Sequence, residues 1–129
     1  MIDLLSVVCG FNLEDLDRVR EARGCLKCDL NGADLNGKAL SGLVLKWTRL
    51  NAANLAEADM KGIILYGAFM SHANLSDANL TNADLHGVTM KWGKMRTAIF
   101  AYADLTDAPL RYHSIHPIHP CEGNAVPHI

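Results

Sequence analysis

The sequence has no excess charge of either sign: twelve Lys and Arg stand against fourteen Asp and Glu, a formal charge of −2. Neither a strongly basic nucleic-acid binder nor a strongly acidic chain fits that balance. An apolar run long enough to cross a bilayer is also missing. Met1 to Gly10 is apolar, but it is short for a span, holds Asp3 and lacks the basic start of a secretory signal. It reads as part of the fold. The four cysteines, at 9, 25, 28 and 121, show no framework spacing. These absences predict a cytoplasmic chain that does not span a membrane and keeps its thiols free. There is no G-x-S-x-G, H-E-x-x-H or glycine-rich phosphate loop. The expectation is therefore no enzyme activity, no small-molecule substrate and no cofactor.

What the sequence does have is a period of five. Every fifth residue from Leu30 to Leu110 is Leu, Met or Phe, seventeen in all without a slip of phase. Two places before most of them stands a small residue, such as Cys28, Ala33, Thr48, Ala53, Ala73 or Gly93. An α-helix would scatter this period around its circumference, and a flat strand would alternate it between faces. A chain that turns at every fifth residue instead points both rows inward. Four short sides then make a coil of twenty residues, with residue n stacked on n+20. With 129 residues, half of them hydrophobic, one domain with one core is expected.

Ala33-Asp34-Leu35, Ala53-Asn54-Leu55, Ala73-Asn74-Leu75, Ala78-Asn79-Leu80, Ala83-Asp84-Leu85 and Ala103-Asp104-Leu105 resemble the A-(D/N)-L-x-x motif of the pentapeptide-repeat family. The resemblance covers about Cys25 to Leu110. It implies an all-β fold, a right-handed quadrilateral β-helix or solenoid. At the roughly 4.8 Å spacing of neighbouring strands, about four coils give a prism some 20 Å long. Three regions are expected: 1–24, a capping segment with a short helix; 25–110, the β-helix; and 111–129, an irregular tail rich in His and Pro. In the first, Asn12 is the N-cap, Leu13, Leu16 and Val19 share a face, and Gly24 closes the helix. The helix is expected to cover the first coil, because an open solenoid end exposes core and strand edges.

Each corner runs from a central residue through the next three, and the third must accept φ > 0 if the turn is type II. Gly32, Gly37, Gly42, Gly62, Gly67 and Gly87 predict type II corners. Trp47, Ala52, Glu57, His72, Asp77, Trp92, Thr97, Tyr102 and Asp107 hold the same place elsewhere, where a left-handed backbone costs on the order of 1 kcal/mol. Type I turns are expected at those corners, above all at β-branched Thr97. Among the inward positions, Lys38 is expected to snorkel out. Leu43, Ile63 and Val88 are large for their row.

Few groups point to a function. Cys25-x-x-Cys28 is half a zinc motif, but both cysteines fall on inward rows and read as core. His113, His116 and His119, spaced by three in a proline-bearing tail, would line one edge of a polyproline-type chain and could hold a transition metal; a solvated tail is the simpler reading. Stacking brings Val44, Trp47, Ile64, Tyr66 and Phe69 together on one side and its corner, with Lys46 and Arg49 at the rim. Such a patch fits a protein-binding or homodimer surface, against the plainer reading of tolerated surface residues. Trp92 with Lys91, Lys94 and Arg96 is too small a cluster for phosphate binding. Some family members protect DNA gyrase by imitating a duplex. Here Cys25 to Leu110 holds eight carboxylates and eight cations, which argues against mimicry and against nucleic acid as a partner. A non-catalytic scaffold, monomer or homodimer, that docks an unidentified protein is the leading expectation.

Overall fold

The computed structural model describes residues 11–109. Helix α1, Leu13–Arg20, is followed by a uniform succession of short extended sides and two-residue turns. Twelve parallel bridges join these sides, from Asp29↔Arg49 to Asp84↔Asp104, and every one links n to n+20. Four five-residue sides therefore separate a residue from the one stacked on it.

The hydrogen-bond ladder explains the regularity. From Leu30 to Leu85 the central N–H of each repeat donates to a carbonyl nineteen residues on, as Leu45 does to Ile64 at 2.7 Å. The residue before the centre donates twenty-one residues back, as Asn54 does to Ala33 at 2.9 Å. Corners close internally, with the N–H of Ala53 on the Leu50 carbonyl at 3.1 Å. The residue after the centre is served by the side chain at the Asp/Asn position. Asp34, Asn54, Asp59, Asn74, Asn79, Asp84 and Asp104 each accept the N–H two residues on, at 3.0–3.2 Å. That local bond is the physical content of the D/N in the motif.

Glycine-bearing and glycine-free corners share one conformation, so the expectation of type I turns is wrong. Trp47, Trp92 and Thr97 have φ of 59°, 57° and 58°, and Ala52, Glu57, His72, Asp77, Asn82, Tyr102 and Asp107 are likewise left-handed. In corners up to Gly87 the N–H of the third residue donates to the second residue's carbonyl in the next coil, as Trp47 does to Tyr66 at 2.9 Å and Ala52 to Ser71 at 2.8 Å. At the Trp92 and Thr97 corners the Lys91 and Arg96 carbonyls accept from the coil before, from His72 at 2.8 Å and Asp77 at 2.9 Å. A type I turn flips that central peptide and breaks the bonds above and below it. At Trp47 and Ala52 two lost hydrogen bonds at about 1 kcal/mol each outweigh a left-handed residue at about 1 kcal/mol, and at Trp92 and Thr97 the bond to the coil before is of the same size as that cost. The ladder wins.

Both inward rows are buried. Central residues from Leu30 to Met90 are 0–1% exposed, with Ala33, Ala53, Ala58, Ala68, Ala73, Ala78 and Ala83 beside them. Leu43, Ile63 and Val88 are accommodated in the same core. Lys38 is exposed, although Ala58 and Ala78 of its own stack are buried. Met95, Phe100 and Leu105 are partly buried against this core.

The Asn12 side chain caps α1 by accepting the Asp15 N–H at 3.0 Å, with acids in the first turn and Arg18 and Arg20 in the last. Leu16 and Val19 are buried, but Leu13 is 63% exposed. Residues three apart drift by about 60° around a helix, so a stripe through Leu16 and Val19 has left Leu13 behind. Gly24 does not close the helix either. Glu21 is the C-cap and Ala22 takes the left-handed position, φ 60°. Gly24 instead permits close approach, since a Cβ there would lie 2.7 Å from the Val44 carbonyl oxygen. The neighbouring Cys25 N–H donates to that same oxygen at 3.0 Å. The helix meets the repeats at Asp29, whose carbonyl accepts the Asn12 N–H and whose N–H donates to Asp15 Oδ2.

Candidate interaction surface

Outward side chains form columns of period twenty. One corner stacks Trp47 on Gly67, and the indole lies where a Gly67 Cβ would be, 2.2 Å from Trp47 Cζ3. The ring meets Tyr66 edge-on at 5.2 Å, and Tyr66 stacks on His86 at 4.8 Å. His86 Nε2 lies 3.8 Å from an Asp107 carboxylate oxygen. Val44 is bridged to Ile64 on the side leading into this corner, and Arg49 to Phe69 on the side leaving it. Trp47, Phe69 and Val44 are 45%, 44% and 38% exposed, while Ile64 and Tyr66 are half-buried. At the rim, Arg49 pairs with Asp29 at 3.1 Å. The patch named from the sequence is thus distributed over two sides and the corner between them. Its continuation to His86 and Asp107 was missed, although the same n+20 step leads to His86.

A second corner has a polar interior. Asn31 Oδ1 accepts the Asn51 N–H at 2.8 Å, and Asn51 Oδ1 accepts the Ser71 N–H at 2.9 Å. Below them buried His72 stacks on Trp92 at 5.1 Å. Trp92 is thereby half-buried in a structural stack, which leaves Lys91, Lys94 and Arg96 as surface cations. Near the end of the described chain, Asp104 titrates below its ordinary range. The Thr106 hydroxyl and then the Thr106 N–H, both on Oδ1, stabilise its carboxylate, with a smaller contribution from the charge of His86.

Cys25 and Cys28 are buried, 6% and 3% exposed, as an inward assignment requires. They are not free thiols: the structure joins them in a disulfide. Asp15 of α1 lies beside them, a neighbour that spacing within the repeat could not reveal. The three tail histidines, His113, His116 and His119, lie outside the described residues. No helix among the described residues is long and apolar enough to cross a membrane.

A family model described as pentapeptide repeats matches in eight copies, over residues 28–65 and 53–91. Among solved structures, HetL of Nostoc sp. PCC 7120, a pentapeptide-repeat protein involved in heterocyst differentiation regulation, is 29% identical with a TM-score of 0.53. The match takes in 64% of this chain but only 43% of HetL. The pentapeptide-repeat protein alr5209, also from Nostoc, is 28% identical, with 70% and 69% of the two chains covered and a TM-score of 0.45. AT2G44920, from the Arabidopsis thaliana thylakoid lumen, is 30% identical over 72% of each chain, with a TM-score of 0.36. A comparison with curated proteins returned no significant match. With its n+20 ladder, its Asx-bonded corners, the eight matched repeats and the likeness to HetL, the chain belongs to the pentapeptide-repeat family and has that family's right-handed β-helix fold.

Proposed function

We propose that the chain is a non-catalytic scaffold, a quadrilateral β-helix of about four coils closed at one end by α1, that docks another protein through Val44, Trp47, Ile64, Tyr66 and Phe69. A cytoplasmic location belongs to the same reading. The observation that carries it is the exposure of Trp47 and Phe69, each close to half, on sides held by backbone ladders. Large apolar rings kept partly in water on a rigid support lose little conformational entropy on binding, and aromatic anchors dominate interface energetics. The non-catalytic part of the reading is supported by the inward rows of the described residues, which side chains fill. Affinity capture with the wild type and with Trp47→Ala/Phe69→Ala tests the reading. A partner retained by the first and lost by the second is expected; identical partner sets would sink the patch.

A further inference from the structure

We propose that Asp15, Cys25 and Cys28, once the two cysteines are reduced, form a zinc site that ties α1 to the first repeat. Ligand atoms of the three side chains all lie within 4.8 Å of one another. Both sulfurs are buried and Asp15 is half-buried. Tetrahedral zinc holds thiolates at about 2.3 Å and a carboxylate at about 2.0–2.2 Å, which places two sulfurs roughly 3.8 Å apart and the oxygen a little closer. In the structure the two sulfurs are joined to each other; reduction lets them part to that spacing, with the Asp15 carboxylate already within 4.8 Å of both. Packing accounts for the sulfurs on their inward rows, and Asp15, which accepts the Asp29 N–H, brings a carboxylate to the same place from α1.

The carboxylate is also oriented from behind. Asp15 Oδ2 accepts the Asp29 N–H at 3.0 Å, and the Asp29 carbonyl holds the Asn12 N–H at the start of α1 at 2.9 Å. Backbone bonds of this kind fix a metal-binding carboxylate and are part of a site's affinity. Two thiolates favour zinc over calcium or magnesium, and a carboxylate is an ordinary third ligand. The fourth position is left to water.

The disulfide in the structure is the oxidised form of this site. A small dithiol supplies two electrons and two protons to the Cys25–Cys28 bond and becomes a disulfide itself. Each thiol then releases its proton as its sulfur binds zinc. Oxidation and metal binding are therefore mutually exclusive, and each fastens the start of the repeats in its own way.

The test uses the full chain as Cys9→Ser/Cys121→Ser, which keeps only this pair. Zinc is titrated against a chromophoric chelator into the reduced and the oxidised protein, and cobalt replaces zinc to show thiolate-to-metal charge transfer. The reduced chain should bind about one equivalent more than the oxidised chain, and that band should belong to the reduced chain alone. Asp15→Asn should weaken binding by about tenfold or more, and Cys25→Ser/Cys28→Ser should abolish it. Equal zinc uptake by the two redox forms, no thiolate band, or unchanged affinity in Asp15→Asn would each overturn the assignment. The oxidised and reduced arms share one sequence, so they decide the question even if the double serine variant does not fold. They also cancel any contribution of the tail histidines.

Discussion

Trp47 and Gly67 fit together so closely that the absence of one Cβ is what lets the indole lie flat. Gly67 has φ of +68° and Gly87, one coil on, +70°, but the nearest atom to a Cβ on Gly87 is 4.0 Å away. Gly87→Ala should therefore cost only the left-handed backbone, about 1 kcal/mol. Gly67→Ala should cost about 2–3 kcal/mol, because it must also move the indole. Chemical denaturation of both variants measures the difference, and adding Trp47→Ala to Gly67→Ala should recover most of the excess. A second residue-scale expectation concerns Asp104, whose folded pKa is lowered, chiefly by the Thr106 hydroxyl. A carboxyl that binds its proton less readily when folded adds stability above its ordinary pKa, and that contribution is lost as pH falls through the lowered value. Thr106→Val removes the hydroxyl and keeps the N–H, so the Asp104 carboxyl should titrate at higher pH, as carboxyl-carbon NMR would show. An unmoved titration would mean that the hydroxyl does not matter.

Among elements, the corner turns are the test of whether the ladder or local propensity rules. Ala52 is left-handed, with φ of 59°, so Ala52→Gly should relieve about 1 kcal/mol of strain against a similar gain in unfolded-state entropy. The expected result is between neutral and about 1 kcal/mol stabilising. A clear loss by thermal or urea unfolding would argue for ordinary backbone at that corner. The inward rows were legible because a five-residue period has one burial solution. The corner conformation was not, because propensity describes one residue, whereas the central peptide of Trp47 is fixed by Tyr66 in the next coil. Likewise Gly24 reads as a helix stop until the Val44 carbonyl is placed against it. Asp15 could not be joined to Cys25 and Cys28 because α1 lies outside the repeat's register. The patch was half legible: stacking Val44 on Ile64 followed from the period, but the indole lying on Gly67 did not. Helix α1 gives its own prediction. Val19 is fully buried where α1 meets the first repeats, and Val19→Asp should detach the helix and expose a strand edge. Sedimentation should then show concentration-dependent polymers that the wild type lacks.

At the scale of the whole molecule, the outward faces argue about partners through charge and length together. From Cys25 to Leu110 the chain carries equal numbers of acids and cations, and local pairs such as Arg49 with Asp29 neutralise part of each. A duplex presents one negative charge per about 1.7 Å of axis, so a protein that imitates one needs a continuous acidic track. The columns here break that track. Beneath Asp34, Asn54 and Asn74 comes Lys94, and beneath Asp59 and Asn79 comes Ile99. Among the described residues Asp84 stands above Asp104 and Glu57 above Asp77, a line that Thr97 ends, while His86 approaches Asp107. Length points the same way: the proposed count of about four coils, at roughly 4.8 Å each, would match about six base steps at roughly 3.4 Å. The chain should leave DNA gyrase supercoiling, and its inhibition by a quinolone, unchanged at any concentration at which it stays monomeric. Protection of gyrase in that assay would show that shape can substitute for charge on this surface. An unchanged assay, with capture of a partner that depends on Trp47 and Phe69, would place recognition on the apolar corner and leave the charged columns as its solvated surroundings.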